Sequence, residues 1–288
     1  MQLNYFVYFC NMISKSQLKN ICLYKQQKQC DADNVFVVEG VKMCAEAMAS
    51  RQCIVAVAAL PEWLQQHYNQ LKAVASLHEE KVFELAPADL DRLSGQKSPN
   101  QVWMLLRRPV GDTAEAGGNN VEDGDLTLVL DHLQDPGNLG TIIRTADWFG
   151  IRHIYCSNDT VNCYNPKVVQ ASMGGIFRTR VDYRPLVPLM QHMRDRGCEI
   201  YGALLDGENV YRMPLGGQGN KASNAPGITR KVLVMGNESR GIGAEVAAMV
   251  THRVRIPNLG GTCESLNAGV AAAVLISELM RDKSVEQQ

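Results

Sequence analysis

No apolar run in the 288-residue chain reaches the ~20 residues that a helical membrane span needs. The chain also has no C-x-x-C pair, and its nine cysteines are an odd number. Cys44, Cys53, Cys156 and Cys198 sit inside apolar segments, the pattern of reduced core thiols in a cytoplasmic protein rather than of a disulfide framework. The six histidines are scattered without zinc-like spacing, so no metal is expected. Phosphate-cradling motifs are missing too: there is neither a dinucleotide G-x-G-x-x-G loop nor a G-K-[ST] pattern. Net charge is only −1, which excludes a broadly basic surface and leaves local patches as the only route to a polyanion.

The charge that is present is unevenly placed. Residues 1–110 carry 12 basic and 10 acidic side chains, residues 126–288 carry 17 and 15, and residues 111–125 carry five acidic and no basic ones. That acidic, Gly- and Asn-rich stretch predicts a linker between a domain over 12–110 and a second over 126–288. A Gly-rich stretch from Gly216 to Thr229 lies between apolar strands of the second part and reads as a surface insertion. Met1 to Ile13 is apolar and aromatic, but lacks the basic start and small-residue cleavage site of a signal peptide. It is expected to be a frayed leader, or to precede a true start at Met12.

Residues 12–110 alternate strand and helix patterns. Strands are expected at Val35–Val38, Ile54–Val57, Val82–Leu85 and Val102–Leu106, with helices at Val41–Ser50, Pro61–Leu71 and Ala88–Leu93. This predicts a small α/β sandwich. The second part alternates more regularly. Its strands are Leu126–Leu130, His153–Cys156, Arg180–Tyr183, Glu199–Leu205, Val232–Met235 and Arg253–Ile256. Its helices are Asn138–Phe149, Pro166–Met173, Leu186–Arg196 and Ser265–Arg281. Near-continuous apolar strands predict a parallel sheet covered on both faces.

Parallel sheets bind ligands beyond the carboxyl ends of their strands, and three segments there carry unusual residues. In Asp131–Ala146, Pro136-Gly137-Asn138 is turn chemistry, Asn138 is a candidate helix cap, and Arg144 follows within the helix. In Met235–Gly243, small residues (Gly236, Asn237, Gly241, Gly243) let backbone N–H groups approach a ligand, and Glu238 adds a carboxylate able to hold Arg144 or a polar ligand group. In Ile256–Val274, a Gly-rich loop leads through Ser265-Leu266-Asn267 into an Ala- and Gly-rich helix that permits close helix packing or a dimer interface. Taken singly, Asn138 can be only a cap, Arg144 only a surface cation and Glu238 only a helix-terminus charge.

Together the three segments resemble the motifs of the SpoU/TrmH family of RNA ribose methyltransferases in the SPOUT superfamily, over about Leu126 to Met280. The first motif matches at Asn138, Gly140, Arg144 and Ala146, and the second at Gly236, Glu238 and Gly241. The third matches at Ile256, Pro257, Gly260, Ser265, Leu266 and Asn267. Phe36-Val37-Val38-Glu39-Gly40 is similar to the RNA-binding domain that often precedes this catalytic domain. One departure is present: the loop between Ile256 and Ser265 is one residue longer than the commonest form, which leaves the contacts of Leu259 to Glu264 open.

The resemblance implies a deep trefoil knot and a homodimer formed through the knot region and the last helix. It implies S-adenosyl-L-methionine as cofactor, held by Met235, Gly236, Asn237, Gly241, Ile256, Pro257, Ser265 and Leu266. Catalysis is then expected from Arg144, Asn138, Glu238 and Asn267. Arg144 would sit at the hydroxyl and stabilise a developing alkoxide, because arginine is almost never deprotonated. The partner would be RNA, ribosomal RNA first and transfer RNA as an alternative, with Lys15, Lys19, Arg107, Arg108, Arg152, Lys167 and Arg178 as phosphate contacts. A different nucleotide-dependent transferase, a non-catalytic RNA-binding protein of the same fold, and a base rather than ribose methyltransferase remain the competing readings.

Overall fold

The computed structural model describes residues 11–50, 52–74, 77–109, 126–213 and 230–281. The acidic 111–125 segment, the 216–229 stretch and the first ten residues lie outside the described residues. The chain forms two compact units, Met1–Val110 with Tyr164–Phe177, and Gly111–Cys163 with Arg178–Gln288.

The first unit is built on β1 (Asn11–Met12), β2 (Val35–Glu39), β3 (Ile54–Ala59), β4 (Val82–Glu84) and β5 (Val102–Arg107), in the order β1-β4-β3-β5-β2. The sheet is mixed: β5 runs antiparallel to both β2 and β3, while β4 lies parallel to β1 and β3. The end of the expected leader is therefore sheet, with Asn11 opposite Phe83 and Met12 opposite Glu84. Helices follow at Lys15–Ile21, Gln27–Ala32, Val41–Ala49, Pro61–Lys72 and Pro87–Leu93. The first of them starts at a capping box, where Ser14 Oγ accepts the Gln17 N–H and Gln17 Oε1 accepts the Ser14 N–H. Its Leu18 and Ile21 join Val35, Val37, Phe83, Leu93 and Trp103 in one apolar cluster. Phe36 points away from that cluster and is equally buried. Its ring lies 4.7 Å from that of Tyr164 and 6.4 Å from that of Phe177, and the Pro166–Ser172 helix packs on β2. A segment that sequence order places among the strands of the second unit thus completes the core of the first.

The second unit is a six-stranded sheet of β6 (Leu126–Leu130), β7 (His153–Cys156), β8 (Arg180–Tyr183), β9 (Glu199–Asn209), β10 (Lys231–Met235) and β11 (His252–Arg255), ordered β11-β9-β10-β6-β7-β8. Every pairing is parallel. All five residues of β6 are buried, which requires cover on both faces. The Leu186–Asp195 helix supplies Leu189, Met190 and Met193 to a cluster with Val129, Ile200 and Val234. The Pro136–Trp148 and Ala268–Leu279 helices pack on each other. A Cβ on Gly269 would come within 3.1 Å of Thr141 Cβ, so a glycine permits that close approach.

Two expected boundaries are corrected. Strand β9 continues past Leu205 to Asn209, because Ala203–Gly207 bulges out between the rungs Gly202–Arg253 and Glu208–Val254 and pairing then resumes. The last helix begins at Ala268, not Ser265, with Asn267 as its cap. Among the described residues every cysteine is free, and burial pushes the Cys44 and Cys156 thiols well up, as expected for inert core thiols. Cys53, expected in the core, is exposed. No described helix is long and apolar enough to cross a membrane.

Candidate active site

All six strands of the second unit end on one side, so the loops after β6, β10 and β11 converge there. The loop after β6 turns into its helix at Pro136, which is pre-set for the first helical position. The cap is Asp135, whose Oδ1 accepts the Asn138 N–H at 2.8 Å. Asn138, expected to be the cap, is the third residue of the helix and is buried. That frees its side chain for a longer reach.

Asn138 Nδ2 donates to Glu238 Oε1 at 2.7 Å, and Asn138 Oδ1 accepts from Asn267 Nδ2 at 2.7 Å. Asn267 Oδ1 in turn accepts the N–H groups of Gly269 and Val270, at 3.0 and 3.2 Å. One residue from each segment thus forms a single relay. Its polarity is fixed from both ends. An ionised carboxylate can only accept, so Asn138 must present its NH2 to Glu238; a helix N-terminus can only donate, so Asn267 must present its oxygen. The middle bond follows from those two.

The loop after β10 shows why its small residues are needed. Asn237 and Gly241 exchange both backbone hydrogen bonds, at 3.0 and 2.9 Å, and Gly241 has φ +69°. A Cβ on Gly236 would lie 2.2 Å from the Gly241 carbonyl carbon. The glycine is required so that the loop can close on itself, whereas sequence reasoning assigned the opening to a ligand. The Gly243 N–H is likewise engaged, donating to Asp131 Oδ2 at 2.7 Å. The Met235 carbonyl accepts the Asp131 N–H at 2.8 Å.

Asp131 and His132 are residues that motif matching passed over. The Asp131 carboxylate is buried and also accepts from His132 Nδ1 at 2.6 Å. His132, at φ +56°, accepts from Asn237 Nδ2 at 2.9 Å through its carbonyl and faces Asp159 Oδ2 at 3.2 Å through Nε2. These bonds tie the first loop to the second. The signal for them was weak: a lone Asp-His dipeptide at the end of an apolar strand.

Arg144 is exposed on the same helix as Asn138. Six residues of helix turn it about 120° from Asn138 and carry it about 9 Å along the axis. Among the described residues it forms no ion pair, and Glu238, expected to orient it, holds Asn138. Ile256 and Pro257 leave β11, and Ser265 and Leu266 lie in the exposed loop before the Asn267 cap. Leu259 and Leu266 are both exposed. Of the expected phosphate contacts, Lys15, Lys19, Arg107, Arg152 and Lys167 are exposed. Two others are committed internally: Arg178 grips the Asp147 carboxylate through Nε and Nη2 at 2.9–3.1 Å, and Arg108 meets Asp31 at 2.5 Å and the Tyr164 ring face.

Loops from three strand ends of one parallel sheet, locked by side chains 100 to 129 residues apart, define the class: an α/β enzyme with its ligand site at the carboxyl edge. A model of the SpoU rRNA Methylase family matches residues 125–277, more than half of the chain, and a model of the MRM3-like substrate binding domain matches 15–103. The chain belongs to the SpoU rRNA Methylase family and is an RNA methyltransferase. It is 26% identical over 253 residues, 88% of this chain and 91% of the relative, to the 23S rRNA (guanosine(2553)-2'-O)-methyltransferase RlmP of Bacillus subtilis. It is 32% identical to a Synechocystis protein named as an uncharacterized tRNA/rRNA methyltransferase, across 55% of this chain and 54% of that one. Among solved structures, a Porphyromonas gingivalis protein assigned to the TrmH family of RNA methyltransferases aligns with TM-score 0.74 and 35% identity, covering 94% of this chain and 100% of that one. An AdoMet-bound rRNA methyltransferase from Sinorhizobium meliloti aligns with TM-score 0.77 over 95% of this chain and 98% of that one, and at 24% identity shares the fold.

Proposed function

We propose that this protein transfers the methyl group of S-adenosyl-L-methionine to a ribose 2′-hydroxyl of structured RNA, ribosomal RNA first. The observation that carries this reading is the Glu238–Asn138–Asn267 relay, which unites the three motifs in one place. The residues fit the cofactor. Leu259 and Leu266 offer exposed apolar surface suited to the faces of an adenine. The irregular backbone at Gly236, Ile256–Pro257 and Ser265–Leu266 offers polar groups to its edges. Asn237 and Gly241 support that backbone by closing the second loop on itself, and the Met235 carbonyl ties it to Asp131.

When bound, S-adenosyl-L-methionine supplies an electrophilic methyl group on a sulfonium. The residues of this chain do the rest. The exposed Arg144 guanidinium donates to the ribose oxygen as negative charge develops there. The hydroxyl proton passes to an RNA phosphate oxygen. Asn138, Glu238 and Asn267 act as positioning residues that hold the loops in register, so that alignment supplies much of the acceleration. The unit carrying residues 15–103 grips the RNA, with Lys15, Lys19, Arg107 and Lys167 on phosphates. A deep trefoil knot and a homodimer through the knot region and the Ala268–Leu279 helix belong to the same reading. Exposed Trp148 and Val270 support a covered helix face, and sedimentation is expected to give twice the chain mass. A cytoplasmic location accords with the free thiols.

The test is calorimetry with S-adenosyl-L-methionine, followed by transfer of labelled methyl to ribosomal and transfer RNA and identification of the product nucleoside. Expected are saturable cofactor binding and a 2′-O-methylnucleoside from ribosomal RNA. No cofactor binding, or a methylated base, overturns the reading; product on transfer RNA alone overturns the choice of RNA.

A further inference from the structure

The loop from Ile256 to Leu266 is irregular and exposed throughout most of its length. Its residue composition offers little to hold it: two adjacent glycines, one at φ +108°, and no buried apolar anchor between Pro257 and Ala268. Among the described residues, the hydrogen bonds that fold this loop on itself come from a single side chain. Asn258 Oδ1 accepts the N–H groups of Gly260 and Gly261, at 2.9 and 2.7 Å. Asn258 Nδ2 donates to the carbonyls of Gly261 and Cys263, at 3.0 and 3.1 Å. The side-chain amide therefore stands in for a missing piece of secondary structure. Only a neutral amide can do this. It must accept from two N–H groups on one side and donate to two carbonyls on the other, which a carboxylate, a hydroxyl or an aliphatic side chain cannot reproduce.

We infer that Asn258 is a positioning residue for cofactor binding: it pre-folds the long third loop so that Leu259 and Leu266 already frame the cofactor's place before it arrives. The inference rests on the proposed cofactor site. It also accounts for the extra residue in this loop, since the Leu259–Cys263 stretch is gathered around the amide rather than stretched between Pro257 and Ser265. Without the amide the loop samples many conformations, and binding must order it. A loop that binding must order lowers affinity by the fraction of time it spends in the competent form.

The experiment compares wild type with Asn258→Ala and Asn258→Asp, titrating S-adenosyl-L-methionine and S-adenosylhomocysteine by calorimetry. Thermal unfolding of the unliganded protein is recorded in parallel. Asn258→Ala is expected to weaken binding of both by roughly ten-fold or more. Asn258→Asp, which keeps the acceptor side and sets a carboxylate against two carbonyls, is expected to fall at least as far. Unliganded melting is expected to stay within about 2 °C of wild type, because an exposed loop contributes little to global stability. In turnover the loss is expected in the KM for the cofactor more than in kcat. Equal affinity in all three proteins, or a loss that only tracks a lowered melting temperature, overturns the inference. Absence of binding in wild type would instead sink the cofactor reading itself, so the two failures are told apart.

Discussion

The two units solve different problems with the same materials. In the first, β5 sits between β2 and β3 and runs against both, while β1 to β4 share one direction, so a single reversed strand sends its carboxyl end to the opposite edge. Many of its side-chain hydrogen bonds are local, such as Gln27–Asp31 and Gln29–Asp33. In the second, every strand is parallel, all carboxyl ends share one edge, and the site's bonds join residues 100, 105, 112 and 129 positions apart. The fully parallel sheet gives a focus where distant segments meet.

That contrast can be broken or sharpened by substitution. Phe36→Ala removes a fully buried ring and is expected to cost ~3–5 kcal/mol in the first unit. Calorimetric scanning should then show an early transition, while cofactor affinity stays near wild type; a parallel loss of affinity would mean that the units are not separable. Arg144→Ala acts only on the second. Methyl transfer is expected to fall by about 10²–10³-fold, with binding of S-adenosyl-L-methionine retained in calorimetry. Asn138→Ala leaves Glu238 and Asn267 each short of a partner, and should cost ~1–3 kcal/mol of stability with a comparable loss in kcat/KM. Arg178→Ala removes an exposed pair with Asp147 and is expected to change stability by less than ~1 kcal/mol. If RNA affinity or its salt dependence changes clearly in that variant, the pair is a phosphate clamp after all.

Much of the second unit was legible because its chemistry is written at strand ends. Asn138, Glu238 and Asn267 could be picked out, and the structure brings them together. What could not be read was the reason for some residues. Gly236 looks like a ligand cradle in sequence, yet it exists because the Gly241 backbone passes 2.2 Å from where a side chain would start. Asp135 and Asn138 are both good caps, and only geometry decides that Asp135 takes the role. The first two helices were missed because they are short and lack a clear apolar period, although Ser14 and Gln17 form a readable capping box. Nothing in local pattern could assign Tyr164–Phe177 to the first unit, since that depends on which apolar face its rings meet.

The relay has a consequence for how the protein matures. Its members lie 100 and 129 residues apart, and the last of them caps the final described helix. Closing loops of such length carries an entropic cost that the completed fold offsets. A chain that is truncated, or that has not yet brought in its last helix, holds Asn138 and Glu238 without their third partner. On the positioning role proposed for the relay, a chain without its last helix is expected to be inactive toward RNA.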